Sequence, residues 1–260
     1  CSGLAILQGI DFALDGPDAF LGGDLLEDEG DLDAFLGALV GDYLPDQISA
    51  VSISPDGTKM FYLLELPDGT RGSIMTLATK SKKEVFQSTF REWLPQLFNN
   101  ETVLVTTKAS GAAEGFAYLY NPKDRSFSRI IRDKNGLTTL GVNGDNRVLF
   151  SERKNGKLIL HVYDPNGYAL DEGLKIDTID LELSSLPEKC VWSKNHVRIF
   201  CAAFAATPRG LLPDEWYQSA IAFQDMFWTA NTDTSEITFL ADPIKQDRHH
   251  DFCCACCTCV

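Results

Sequence analysis

From Ile48 onward, hydrophobic and polar residues alternate in short runs that end at turn-forming residues. The first round comprises ISAVSIS (48–54), the turn PDG (55–57), KMFYLLE (59–65), GSIMTL (72–77) and KKEVFQ (82–87). β-Branched and aromatic residues dominate these runs, and Gly, Asn, Asp and Pro separate them, which is typical of β-strands joined by tight turns. The pattern therefore predicts a protein built from short antiparallel strands.

The same round recurs three times along the chain. Later runs of this type are EWLPQLF (92–98), TVLVTT (102–107), FAYLY (116–120), SFSRII (126–131), GLTTLGV (136–142), RVLFSE (147–152), KLILHVY (157–163), LPEKCVWS (186–193) and VRIFCAA (197–203). The turns between the first and second runs fall at Asp56, Asn100, Asp145 and Asn195, at intervals of 44, 45 and 50 residues. A repeat near 45 residues with four short strands is the mark of a β-propeller blade, because one twisted sheet cannot bury both faces alone. We predict an all-β propeller of four or five blades over residues 47–242, incomplete or open.

The first 46 residues have a different character, rich in glycine and acidic side chains. Residues 1–50 contain eleven Asp and Glu and no Lys or Arg, so eleven of the fourteen net negative charges lie in this segment. We expect a solvated lead or linker, with a partner-docking or cation-binding segment as the alternative. The negative charge does not favour a nucleic-acid partner, because phosphate binding needs a basic face. No apolar run reaches the roughly 18 residues that a membrane span needs.

Several segments resemble known propeller sequences. SPDGTKMFYL (54–63) resembles the TolB-type repeat, in which a Ser-Pro-Asp-Gly turn joins two inner strands of a blade. FREWLPQLFNNETVLVTTKAS (90–110), GLTTLG (136–141), LPEKCVWS (186–193) and LLPDEWYQSAIAFQDMFW (211–228) resemble a family of exported, WD-like propeller proteins from candidate-phylum bacteria. This resemblance covers residues 44–242. It implies a propeller fold and a location in the cell envelope or outside the cell, and it implies no catalytic residues.

The chain departs from that family at three places. Ser219 stands where the family has glycine after the PD-x-W-Y stretch. The acidic lead replaces the family's first blade, and the segment after Ala241 does not resemble its final blade. Ring closure by this chain alone is therefore an open question at the level of sequence.

Cys190 and Cys201 flank a predicted hairpin. If Asn195-His196 is a two-residue loop, the two cysteines lie directly opposite each other as a hydrogen-bonded pair, within reach of a disulfide. In an exported protein we expect this cross-strand disulfide. Two buried free thiols or a functional redox pair are the alternatives.

The remaining cysteines lie at the two ends of the sequence. Residues 243–260 form a Cys/His-rich tail that we expect to be irregular, and its candidate ligands for Zn²⁺ or Cu(I) are His249, His250, Cys253, Cys254, Cys256, Cys257 and Cys259. Mixed disulfides, or an end unrelated to the ancestral fold, are the alternatives for this tail. Cys1 is a candidate lipid-modified cysteine, and a fragment boundary is the alternative there.

A candidate binding site follows the predicted fourth round. Trp216 and Tyr217 come directly after a turn that carries Asp214 and Glu215, so they could stand on a rim loop and grip a peptide or stack on a sugar. Packing between blades is the alternative for these aromatic residues. The chain has no G-x-S-x-G, P-loop or G-x-G-x-x-G motif.

These patterns lead to one functional hypothesis and two alternatives. We expect a noncatalytic envelope propeller that needs no cofactor and binds a protein, peptide or glycan through its rim loops, without a nucleic-acid partner. The first alternative is a propeller enzyme of the glycoside hydrolase or lyase type, whose carboxylates the sequence does not locate. The second is metal handling by the tail.

Overall fold

The computed structural model describes residues 45–99, 101–142, 146–169, 175–206 and 209–245. The predicted turn positions Asn100 and Asp145 lie outside these ranges. So do Cys1, most of the acidic lead, and residues 246–260 of the tail, which include His249, His250, Cys253, Cys254, Cys256, Cys257 and Cys259.

The described residues form four antiparallel sheets of four strands each, and we call each sheet a blade. Blade 1 contains β1 (Ile48–Ile53), β2 (Lys59–Leu66), β3 (Gly69–Thr76) and β4 (Lys82–Ser88). Blade 2 contains β5 (Trp93–Leu97), β6 (Val103–Thr107), β7 (Glu114–Asn121) and β8 (Ser126–Asn135). Blade 3 contains β9 (Thr139–Gly141), β10 (Val148–Lys154), β11 (Lys157–Ala169) and β12 (Lys175–Asp180). Blade 4 contains β13 (Cys190–Trp192), β14 (Arg198–Phe204), β15 (Asp225–Asn231) and β16 (Ile237–Ala241).

In every blade the strands pair in chain order, so each blade is a meander. The sequence pattern locates thirteen of these strands but does not predict β12, β15 or β16. Among the described residues the four blades do not close into a ring.

The turn between the first two strands has the same chemistry in blades 1 and 4. The Ser54 hydroxyl donates to Asp56 at 2.6 Å and accepts from the Lys59 amide at 2.9 Å. The Ser193 hydroxyl likewise contacts the Asn195 side chain at 2.7 Å and accepts from the Arg198 amide at 2.9 Å. Serine with Asp or Asn two residues later satisfies backbone groups that a tight turn leaves unpaired. The sequence repeat is therefore a repeat of turn chemistry.

Neighbouring blades are tied together through their first strands. The Ser52 hydroxyl of β1 accepts from the Leu97 amide of β5 at 2.7 Å, across 45 residues of chain. Gln96 of β5 accepts from the Gly141 amide of β9 at 2.9 Å, again across 45 residues. The indole of Trp192 in β13 donates to the Leu140 carbonyl at 3.4 Å. Because the repeat is about 45 residues long, the first strand of one blade lies beside the first strand of the next blade, and these hydrogen bonds join the two.

The interface between blades 1 and 2 is aromatic. Phe86 lies at its centre, with ring centroids 6.1 Å from Phe61, 6.3 Å from Trp93 and 5.1 Å from Tyr120, all edge to face. The Tyr120 hydroxyl donates to the Val85 carbonyl, and burial raises the pKa of this phenol. Edge-to-face ring pairs add to the free energy gained from apolar burial. This cluster therefore joins blades 1 and 2 through packed aromatic rings.

Cys190 and Cys201 pair across β13 and β14 and form a disulfide. Their Cα atoms are 4.1 Å apart, the close spacing of a non-hydrogen-bonded pair. The predicted hydrogen-bonded geometry is wrong, because the loop has four residues rather than two. The Ser193 amide bonds the Arg198 carbonyl at 2.8 Å and closes the loop there, which shifts the alternation by one position.

Candidate functional site

The connection between the second and third strands is unusually long in blade 4. It spans residues 67–68 in blade 1, 108–113 in blade 2 and 155–156 in blade 3, but 205–224 in blade 4. This rim loop carries the short helix α1 (Asp214–Tyr217), which contains all four residues predicted to bind a partner. All four connections leave the second strand at the same end of the blades, so the rim loop stands on one rim of the molecule.

Asp214 anchors the rim loop to a distant part of the chain. Its carboxylate accepts from the Gly111 amide at 2.6 Å, across 103 residues. A Cβ atom on Gly111 would lie 2.2 Å from the Leu212 carbonyl, so this close approach requires glycine. The rim loop therefore reaches past blade 3 to a loop of blade 2, and Asp214 serves this anchor.

Glu215 packs inside the rim loop. A Cβ atom on Gly210 would meet the Glu215 carboxylate at 2.3 Å, and the Glu215 carbonyl accepts from the Ala220 amide at 2.8 Å. Ser219, where the resembled family has glycine, adopts a φ of 58°, the left-handed region that favours glycine. These contacts fold the rim loop back on itself.

Trp216 is half-buried in an aromatic stack. Its ring centroid is 5.9 Å from Phe223, with planes 27° apart, and 5.3 Å from Tyr217. Phe223 in turn lies 4.3 Å from Phe204 at the end of β14. The stack runs from the rim loop down to the sheet and fixes the position of Trp216.

Tyr217 remains 44% exposed, and its hydroxyl donates to a carboxylate that the sequence analysis did not select. This acceptor is Glu188, in a 3-10 turn (Pro187–Lys189) between blades 3 and 4. Its second oxygen accepts from the Thr138 hydroxyl at 3.1 Å. Desolvation raises the pKa of Glu188 and also raises the pKa of Tyr217.

A partly buried ion pair lies beside the aromatic stack. The Lys189 ammonium is 2.5 Å from both carboxylate oxygens of Asp225, and 4.9 Å and 4.7 Å from the ring centroids of Phe204 and Phe223. Such positions over aromatic faces stabilise a cation. Burial nevertheless lowers the pKa of Lys189, although Asp225 opposes that shift.

The stack and the ion pair together border an open cleft of about 360 Å³, which we call the Trp216 cleft. Its walls combine aromatic, aliphatic and charged groups, from Lys189, Trp216, Ser219, Ile221, Ala222, Phe223 and Asp225. Of the predicted site residues, the structure places Trp216 in this cleft and Tyr217 next to it. Sequence reasoning missed Lys189 and Asp225 because they lie 36 residues apart. The charged residues Glu188 and Lys189 directly before Cys190 are the sequence signal that could point to this cleft, although the strand pattern places them at the start of a strand.

The described residues show two further features that bear on function. They contain no group of three or more His, Cys, Asp or Glu side chains placed to hold a metal ion. None of the helices in the described ranges has the length and apolar character that a membrane crossing requires.

Comparisons with known proteins address the fold. No protein-family model and no curated protein sequence matches this chain. Oligogalacturonate lyase in complex with manganese is similar over 76% of this chain and 55% of its own, with 11% identity and a TM-score of 0.51. The chain has a β-propeller fold.

Two further propellers are similar at lower TM-scores. TolB from Acinetobacter baumannii is 17% identical over 74% of this chain and 42% of its own, with a TM-score of 0.47. The β-propeller domain of the Trilobed protease from Pyrococcus furiosus, described as having an open velcro topology, is 11% identical over 76% and 59%, with a TM-score of 0.48. The chain thus spans about half the length of these solved structures.

Proposed function

We propose that this protein is a noncatalytic β-propeller that binds a peptide segment of a protein partner in the Trp216 cleft. The observation that carries the proposal is an open cleft with aromatic walls and a partly buried ion pair, on a rim loop anchored to blade 2. Tryptophan and tyrosine side chains are among the residues that most often dominate protein recognition. A loop held on a rigid scaffold is also where binding residues concentrate.

The arrangement of the rings favours a peptide over a glycan. A sugar stacks on the open face of an aromatic ring, but the Trp216 ring already packs against the rings of Tyr217 and Phe223. An apolar peptide side chain can instead enter beside Ile221, while Lys189 and Asp225 offer a donor and an acceptor to its backbone. We therefore expect a peptide with one aromatic or aliphatic anchor residue.

Among the described residues, Glu188 is the group that most favours the enzyme alternative. A desolvated carboxyl with a raised pKa is what a general acid requires. Both of its oxygens, however, already accept hydrogen bonds from the hydroxyls of Tyr217 and Thr138. We infer that Glu188 positions Tyr217 beside the Trp216 cleft and transfers no proton to a substrate.

We also infer that the protein works outside the cytoplasm, in the cell envelope. The Cys190–Cys201 disulfide supports this location, because disulfides persist in oxidising compartments and are rare in the cytosol. Neither the lipid anchor at Cys1 nor metal binding by the tail contributes to this proposal.

The test uses ¹⁵N-tryptophan labelling, which gives one indole signal for each of the four tryptophans. The probes are pooled random heptapeptides sorted by their central residue, with cellohexaose and chitohexaose as the glycan arm. We expect pools with a central aromatic or aliphatic residue to shift the Trp216 signal, which the Trp216→Phe variant assigns. The Trp93→Phe variant is the matched control, because Trp93 lies between blades 1 and 2, and it should bind peptides normally.

Two outcomes would count against the proposal. A shift of the Trp216 signal by an oligosaccharide but by no peptide would identify a glycan site. The second outcome is that peptides still shift the Trp216 signal, with equal affinity, in a Lys189→Ala, Asp225→Ala double variant. This result would show that the ion pair does not contribute to peptide binding.

A further inference from the structure

One face of blade 4 has no neighbour among the described residues. Along β14, Ile199, Cys201 and Ala203 point toward blade 3 and are buried. The alternate residue Phe200 points the other way, together with its cross-strand partner Val191. Phe227 shares this face, because it pairs with Ala202. Val191 is 62% exposed, Phe200 41% and Phe227 45%, so three apolar side chains meet solvent side by side.

The same face is covered in every other blade. In each of blades 1 to 3, one residue of the first strand contacts the next blade, and its cross-strand partner on the second strand is the equivalent of Phe200. Phe61 pairs in this way with Ser52 in blade 1. Leu104 pairs with Gln96 in blade 2, and Leu149 pairs with Leu140 in blade 3. All three are fully buried. The outer face of blade 4 therefore corresponds to the face that packs against the next blade in blades 1, 2 and 3, but among the described residues no blade packs against it.

Among the described residues, the opposite end of the molecule offers no apolar face as exposed as that of blade 4. On blade 1, the side turned away from blade 2 carries Met60, Tyr62 and Met75, and all three are buried. A head-to-tail array, with blade 4 of one copy on blade 1 of the next, would have to displace whatever covers them. A second copy can instead present the same exposed apolar face.

We propose that this face pairs two copies of the chain, blade 4 against blade 4, about a two-fold axis. Two apolar sheet faces can pack at about 10 Å separation, and isologous pairs are the commonest oligomers. Exposed apolar patches of this kind also mark protein-protein contacts.

Charge selects the orientation of the pair. Arg198 lies on this face at the start of β14, and Asp225, which already forms an ion pair with Lys189, lies opposite Phe204 at its end. An axis along the strands would set the two Arg198 side chains against each other, whereas an axis perpendicular to them sets each Arg198 against the neutral Lys189–Asp225 pair of the second copy. Asp225 also borders the Trp216 cleft, so the pair and a bound peptide should compete, and the test is run without peptide.

The experiment is light scattering after size-exclusion chromatography of the full chain, between about 1 and 100 μM, a range in which weak homodimers dissociate. We expect the mass to rise toward twice 28.7 kDa with concentration. Phe200→Asp should raise the dissociation constant at least about tenfold, because it would bury a carboxylate in an apolar contact. Arg198→Glu should raise it by a smaller factor.

Phe90→Asp is the matched control, because Phe90 is 42% exposed in the loop between blades 1 and 2 and should leave the dimer intact. Val191→Glu replaces Phe200→Asp if circular dichroism shows that the latter is unfolded. A non-reducing gel excludes dimers formed by the other cysteines. A wild-type chain that is monomeric at the highest concentration, or a dimer unaffected by both face variants, would overturn the proposal and leave the peptide site untouched.

Discussion

Two surfaces of this protein have the same local sequence pattern but different environments. One is the interface between blades 1 and 2, and the other is the outer face of blade 4. In both, a phenylalanine occupies the same position of the second strand, opposite a first-strand residue. Phe61 is fully buried among Phe86 and its neighbours, whereas Phe200 is 41% exposed. Alternation along a strand states which side chains share a face, but it does not state whether another sheet covers that face.

The largest expected difference concerns these two phenylalanines. Phe61→Ala removes a ring from a packed aromatic cluster and should lower the free energy of unfolding by about 3–5 kcal/mol. Phe200→Ala should lower it by less than about 1 kcal/mol, because water already contacts that ring. Urea unfolding followed by circular dichroism, at concentrations that keep the chain monomeric, measures both. Equal losses would show that Phe200 is as well covered as Phe61.

The disulfide should give the next largest effect. It closes a loop between cysteines eleven residues apart, and a cross-link of that span stabilises a fold by about 3 kcal/mol. Blade 1 has the uncross-linked pair Val51 and Tyr62 at the equivalent positions. The Cys190→Ala, Cys201→Ala double variant should lose this stability, and dithiothreitol should then leave its unfolding midpoint unchanged. A strong response of the double variant to the reductant would place the stabilising disulfide elsewhere.

The repeated serine turns allow a smaller and more exact comparison. Ser54→Ala and Ser193→Ala each remove a hydroxyl that contacts a side chain and a backbone amide, at a cost of about 1 kcal/mol. Ser54 is buried and Ser193 is not, so the variant in blade 1 should be the less stable of the two. Thermal unfolding of the pair is the measurement. The reverse order would mean that burial does not set the strength of this turn.

The smallest expected effect is a pH dependence at the start of blade 4. The folded state raises the pKa of Glu188, so it retains a proton more strongly than the unfolded chain. Stability from this group is therefore greatest below the ordinary carboxyl range and is lost as pH rises through the raised pKa. Glu188→Gln should show a smaller fall in melting temperature than the wild type between about pH 4 and pH 7. An identical fall would show that Glu188 does not cause it.

Much of the fold was predictable because turns and strands are local. The recurring Asp or Asn turns correctly predicted blades of four strands, and the symmetric positions of Cys190 and Cys201 correctly predicted their pairing. The strands β12, β15 and β16 were missed because the rim loop and residues 170–174 interrupt the 45-residue spacing. The number of residues in the Asn195 loop was wrong because hydrogen bonding at Ser193 decides it.

The candidate site was only partly predictable. Trp216 and Tyr217 stand out in the sequence because they are adjacent aromatic residues after a Pro-Asp turn. Glu188 and Lys189 lie in the turn directly before the first strand of blade 4, and Asp225 lies on the third strand of that blade. These residues meet only when the strands pair, and therefore no local spacing connects them.

The sequence by itself determined the period, the strands of each repeat and the residues that share a face, since these depend on backbone preferences over a few neighbouring positions. Only the tertiary structure decided which faces are covered and which groups meet at the rim. Burial depends on the neighbouring sheet rather than on the strand itself. For that reason Phe61 and Phe200 have different roles in this protein, although they have the same place in their repeats.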